Sequence, residues 1–388
     1  MEQPSPARAT LLPGILGVAA ATVYLILILS VESQTGIALL LAGGAVVILA
    51  AAKLGALESM RRSFLVSERR MDLVVVAALL LLTAFFYEDH FILLMVATVM
   101  TYMVAALGLT VQFGYAGVLN FAGAAFFGIG CYTAAVLTKN TALPHLLVLL
   151  AGGLMAALIG ALLLLPVLRT RGHYSAVITI AFTLLFKTFL EVNDVLGGPQ
   201  GLRVDGMRLF GWEFNSNIEL GEDLELSFFV NYVLGALVLL AFAFAFVRRL
   251  ERSWAGLNMD AVRLDETAAA CFGYNVARWK ITAFMIGNFL AGTAGALYAM
   301  MLGFIAPTNF TFGDSLILVS IVLLGGIGNP WGLAVATTIV IVLPEKLQII
   351  QEYRFLLYAT LVILILLFRP LGLLPRPLRS YFPGWQSR

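Results

Sequence analysis

Four polar side chains sit in sequence apolar enough to lie in hydrocarbon: Gln112, Tyr115, Asn120 and Asn288. What amides and phenols offer at membrane depth is hydrogen bonding. A polar group in hydrocarbon is costly, so these side chains must face the interior of a helix bundle. Three of them, with Tyr132, fall in residues 111–132, a run punctuated by Gly114, Gly117, Gly123, Gly128 and Gly130. Small residues let helices approach closely in lipid, and glycine also permits a helix to break. Two roles are open for the set: glue between helices, or a translocation pathway lined by weak polar contacts.

A second set is charged and lies outside the apolar runs. Residues 258–276 carry Asp260, Arg263, Asp265 and Glu266 around Ala261, Ala268, Ala269 and Ala270. The alanines favour helix. Asp260 is placed to cap its start, and Gly273 suits the left-handed position just past its end. The expectation is one short charged helix over about 258–273, between two spans. It could rest on lipid headgroups, which its basic residues would suit. It could instead dock into a groove of a partner protein, with Arg263, Asp265 and Glu266 fixing the register.

The elements that must position these residues follow from composition. Of 388 residues, 61% are hydrophobic and 12% charged. Soluble domains run near 45–50% and 25%. The apolar excess must face lipid, so the fold class is an all-α polytopic membrane protein. Runs of the required length, about 20 residues, fall roughly at 11–30, 36–52, 72–87, 91–110, 115–137, 144–168, 173–191, 228–247, 279–303, 312–328, 331–350 and 355–368. Some are short or glycine-rich, giving about 10–12 transmembrane or re-entrant helices. Breaks are tolerated only inside protein or along a wet cavity. The run 11–30 is longer than a signal-peptide core and no convincing cleavage site follows it, so it reads as a retained first span.

Charge orients the bundle. Residues 53–71 hold Lys53, Arg61, Arg62, Arg69 and Arg70; 169–171 hold Arg169 and Arg171; 248–280 hold Arg248, Arg249, Arg252, Arg263, Arg278 and Lys280; the tail holds Arg369, Arg376, Arg379 and Arg388. Basic loops stay in the cytoplasm. Residues 191–227 hold Glu191, Asp194, Asp205, Glu213, Glu219, Glu222, Asp223 and Glu225 against Arg203 and Arg208, and belong outside. Both termini then fall in the cytoplasm.

Several functions are disfavoured. A net charge of +2 argues against a nucleic-acid partner. Cys131 and Cys271 occupy different settings, and His90, His145 and His173 are scattered at segment ends, so neither a disulfide nor a metal site is expected. A phosphate-binding G-x-x-x-x-G-K-[ST] loop, a G-x-S-x-G elbow and an H-E-x-x-H helix are all missing, which argues against ATP hydrolysis and other enzymatic work by this chain.

Residues 265–273, D-E-T-A-A-A-C-F-G, resemble the D-E-x-A-A-x-x-x-G coupling segment of LivM-type branched-chain amino-acid permeases of ABC importers. Residues 166–179 are similar to that family's P-V-L-R-x-R-G-x-Y-x-A-x-x-T hairpin, and 197–201 to its G-G-P-x-G turn. Residues 291–298, A-G-T-A-G-A-L-Y, 324–332, L-G-G-I-G-N-P-W-G, and the F-R-P-x-G at 368–372 resemble its later motifs. Order and spacing hold over about 95–375. The division implied is extra N-terminal helices over 1–90, a permease domain over 91–375 and a cytoplasmic tail over 376–388.

The resemblance implies a bacterial inner-membrane transport subunit of the many-helix importer type. It would pair with a second, related permease, form half of the pathway and work by alternating access. Two cytoplasmic ATPases would use ATP beneath the pair, and a periplasmic binding protein would deliver branched-chain or other neutral amino acids. No cofactor would be held by this chain. Glu266, Ala269 and Gly273 would stand at the coupling positions. Relatives that carry urea or short amides keep a second cargo open. An ion-coupled secondary transporter is the rival mechanism, but Lys187, Glu191, Asp314 and Glu345 lie near span ends and offer no proton relay.

Overall fold

The computed structural model describes residues 11–56, 59–60, 63–64, 68–168, 174–209, 211–219 and 225–347, with 353, 356, 358–360, 363–364, 367, 372–374 and 376. Arg61, Arg62, Arg169, Arg171, His173, Glu222, Asp223, Phe368, Arg369, Pro370, Arg379 and Arg388 lie outside the described residues, as does most of the run at 355–368.

Hydrocarbon offers backbone groups no water, so an apolar run satisfies them by folding as helix. The helices are α1 (Leu12–Ser30), α2 (Gln34–Lys53), α3 (Glu68–Phe85), α4 (His90–Thr110), α5 (Gly123–Asn140), α6 (His145–Val167), α7 (Tyr174–Val192), α8 (Phe229–Glu251), α9 (Trp254–Leu264), α10 (Glu266–Cys271), α11 (Val276–Leu302), α12 (Phe312–Gly325) and α13 (Pro330–Lys346). Among the described residues, seven helical stretches are long and apolar enough to cross a membrane. They contain α1, α4, α6, α7, α8, α11 and α12. The remaining runs fold as α2, α3, α5 and α13. The expected all-α polytopic fold is what forms.

Polar caps place the helix ends. Asn275 accepts from Arg278 N–H at the start of α11. Thr311 and Asp314 form a reciprocal capping box on α12, and Asn329 with Pro330 starts α13. At the centre, 72% of the membrane-length stretch is buried in both α4 and α11, against 17% in α7, so α7 lies at the edge of the bundle. α11 packs against α6, α5 and α4. Its small residues allow this: a Cβ on Gly130 of α5 would lie 2.7 Å from Gly292 Cα.

The two ends differ in charge. At the acidic-loop end, the described residues between α7 and α8, with Phe304–Ile305, form three two-stranded pairs. β1 (Leu202–Arg203) pairs with β6 (Phe304–Ile305), β2 (Arg208–Leu209) with β3 (Trp212–Glu213), and β4 (Ile218–Glu219) with β5 (Glu225–Leu226). The Tyr232 hydroxyl pins this chain segment. It accepts from Met207 N–H at 3.0 Å and also lies 2.5 Å from Asn215 Oδ1 and 3.0 Å from Met300 O. At the basic end, Arg248 of α8 pairs with Asp72 at 3.0 Å and Glu68 at 2.5 Å on α3, and Arg252 also meets Glu68.

Two expectations are corrected. The run at 115–137 is not one helix: α4 continues through a π turn at Val111–Tyr115, residues 116–122 are non-helical, and α5 begins at Gly123. The segment 258–273 is two helices. Ser253 caps α9 and Asp265 caps α10, while Asp260 lies inside α9 with its carboxylate turned to Arg376. Asp260 caps nothing because α9 starts earlier, at Trp254 on the Ser253 cap, which leaves its carboxylate free to pair with Arg376.

Candidate functional site

The broken stretch between α4 and α5 is the first part of the site. Gln112 Nε2 donates to Asn288 Oδ1 at 2.9 Å and to Phe284 O at 3.1 Å, both on α11. Asn120 Nδ2 donates to Gln112 Oε1 at 2.8 Å and to Asn288 Oδ1 at 3.3 Å. Asn120 Oδ1 accepts from Ala122 N–H at 2.9 Å, turning the chain into α5. All three amides are at most 1% exposed in the single chain. They tie the break to the central helix; of the four side chains singled out in the sequence, these three come together. Asn288 Nδ2 lies beside Gly160 of α6 and makes no hydrogen bond among the described residues.

Tyr115 does not join them. Its ring lies under the Arg376 guanidinium, 4.5 Å from carbon to ring centroid. Arg376 donates to both Asp260 carboxylate oxygens at 2.7 and 2.9 Å, to Glu251 Oε1 at 3.0 Å and to Gly114 O at 3.5 Å. Partial burial opposes its charge, but the hydrogen bond to Asp260 and the Asp260 and Glu251 charges outweigh this and raise its pKa above the ordinary value. The break also meets the turn after α12. A Cβ on Gly114 would stand 2.7 Å from Gly328 Cα, which only glycine permits.

The second part is the α9–α10 pair. Asp265 Oδ1 accepts from Thr267 N–H at 2.8 Å and Ala268 N–H at 3.0 Å. Gly273 has φ +83°, and Gly273 N–H donates to Ala270 O while Tyr274 N–H donates to Ala269 O, both at 3.0 Å. That double closure is the left-handed helix stop the sequence called for. Glu266 Oε1 accepts from Lys280 Nζ of α11 at 2.5 Å. Arg263 packs its stem on Gly117 of the break and lies 3.6 Å from Asp260. A groove runs along the pair, lined by Ala261, Leu264, Asp265, Ala268, Ala269, Phe272 and Tyr274. Leu264 and Phe272 are 74% and 83% exposed, an apolar rim beside a carboxylate, while Ala269 is buried.

Sequence reasoning missed Arg376 and Glu251. Arg376 counted only as one of several tail cations, and nothing local links it to Asp260, 116 residues away. Among the described residues no group of three or more His, Cys, Asp or Glu could hold a metal ion.

A many-helix bundle with a broken polar stretch at its centre and a capped helix pair at its basic end is a polytopic membrane permease. Residues 91–368 match the family described as the permease component of branched-chain amino acid transport systems, and the chain belongs to that family. It is 36% identical over 289 residues to the high-affinity branched-chain amino acid transport system permease protein LivM of Escherichia coli K12, covering 71% of this chain and 68% of that one. Identity to the Salmonella typhimurium LivM is 37% with the same coverage. The LivH permease protein of Salmonella typhimurium is 26% identical over 295 residues, 92% of its length. No solved structure matches. The match begins at 91, so α1–α3 precede it.

Proposed function

We propose that this chain is one of two permeases in an ATP-driven importer of branched-chain amino acids. The observation that carries the mechanism is direct packing of the α9–α10 pair against the break, through Arg263 on Gly117. By the bias of basic loops, the α9–α10 end is cytoplasmic, as are both termini, and the acidic-loop end faces the binding protein. The membrane is the bacterial inner membrane. Two ATPases dock below, one of them in the groove of α9–α10, with Arg263, Asp265, Glu266, Ala269 and Gly273 setting the fit; ATP is used there and no cofactor is held here.

ATPase closure pushes α9 and α10. Because they join α8 to α11, the push tilts both long helices and works on the amides that tie the break to α11. Gln112, Asn120 and Asn288 then loosen from one another and, with Tyr115, line the pathway between the paired permeases. The cargo reading rests on the names of the relatives. The permease unit spans 91–375, with α1–α3 added before it and a cytoplasmic tail after it.

The test is leucine, isoleucine, valine and urea uptake by the assembled importer, with ATP hydrolysis measured alongside. Gly273→Pro removes an N–H that closes α10, and should abolish uptake while the complex still assembles. Unchanged uptake in Gly273→Pro would remove the coupling role. Urea uptake without leucine uptake would reassign the cargo. Wild-type transport in the single alanine variants of Gln112, Tyr115, Asn120 and Asn288 would remove the lining role.

A further inference from the structure

Residues 372–374 lie against the end of α12. Leu373 N–H donates to Leu324 O at 2.8 Å and Leu374 N–H to Gly325 O at 3.2 Å. These carbonyls end α12 and lack helical partners of their own. Asn329 Nδ2 donates to Leu374 O at 3.0 Å, so the strap is fixed on both sides of the turn after α12. Arg376 leaves this strap in a defined place, with its stem on Gly328.

From there one side chain reaches three elements. It meets Glu251 at the end of α8, Asp260 within α9, and Gly114 and Tyr115 at the break. The ion-pair side chains of Arg376, Glu251 and Asp260 are only 14–15% exposed. A pair this dry contributes little more than apolar packing would, whereas removing one partner is costly. What the planar fork adds is geometry, since two parallel bonds fix both distance and angle. Lysine, a point charge, cannot reproduce that.

We propose that Arg376 is a positioning residue of transport: it clasps α9 to the break so that movement of the docking pair moves the intramembrane break with it. This rests on the reading of α9–α10 as the ATPase-docking segment. Without the clasp, α9 still docks and hydrolysis still runs, but the break no longer follows.

The experiment uses the assembled importer in lipid vesicles with leucine-loaded binding protein. Uptake and ATP hydrolysis are measured per assembled complex for Arg376→Lys, Arg376→Gln, Asp260→Asn and the Gln/Asn double variant, beside Gly273→Pro. Leucine moved per ATP should fall about tenfold in each single variant, the scale of a transmitted coupling. The double variant should fall about tenfold too and not a hundredfold, because both changes break one contact. Equal loss of uptake and hydrolysis would show a merely structural role and overturn the proposal. Arg376→Lys keeps the charge, so its ratio decides if the Gln variant does not assemble. If Gly273→Pro uncouples while the Arg376 variants keep the wild-type ratio, the clasp fails and the docking segment stands. If Gly273→Pro is also silent, both fail.

Discussion

Gln112→Leu removes the hub of the buried amides while nearly keeping its volume. Three contacts go: to Phe284 O at 3.1 Å, to Asn288 Oδ1 at 2.9 Å and from Asn120 Nδ2 at 2.8 Å. Asn120 keeps its 3.3 Å contact to Asn288, so its amide is not fully stranded. Hydrogen bonds between membrane helices contribute about 0.6 kcal/mol on average, and those in soluble proteins about 1 kcal/mol. Three of them amount to roughly 2–3 kcal/mol. At about 2–4 °C per kcal/mol, the unfolding midpoint should drop by roughly 5–10 °C. Cys131 is a built-in reporter, being buried and bonded to Gly295 O at 3.1 Å. Labelling by a thiol-reactive dye during heating, with the exposed Cys271 replaced by serine, reads the midpoint. An unchanged or higher midpoint would refute the argument that these amides hold the break to α11.

Gly114→Val would put a branched side chain against the Gly328 backbone, where neither chain can yield. Overpacking of this kind is destabilising by about 1–3 kcal/mol; the same dye assay should show a lower midpoint, and a wild-type midpoint would mean the two turns do not meet. Tyr232→Phe strips the acceptor from Met207 N–H and the contact to Asn215, and should free the chain around both residues. Protease added at the acidic-loop end should then cut there faster, and an unchanged cutting rate would show that Tyr232 does not pin the chain.

The long helices were legible because lipid demands runs of about 20 apolar residues and allows almost nothing else. The break was half legible. Its glycines and amides stood out, but not where the helix would stop. Tyr115 was grouped with Gln112 as a hydrogen-bonding side chain at membrane depth. It closes the π turn at Val111–Tyr115 and lies under Arg376 instead of among the amides. The stop at Gly273 is local chemistry and could be read directly. The place of Asp260 could not. It suits a helix start, but Ser253 starts α9 earlier and Asp265 starts α10, which leaves Asp260 inside α9.

The most direct test of the importer reading is to express this chain with its genomic neighbours, purify through a tag on it, and assay ATP hydrolysis in lipid with and without binding protein and leucine. The expected result is two ATPases and a second permease retained on the tag, with hydrolysis stimulated by leucine-loaded binding protein. A chain that purifies alone and takes up amino acids on an ion gradient would contradict it.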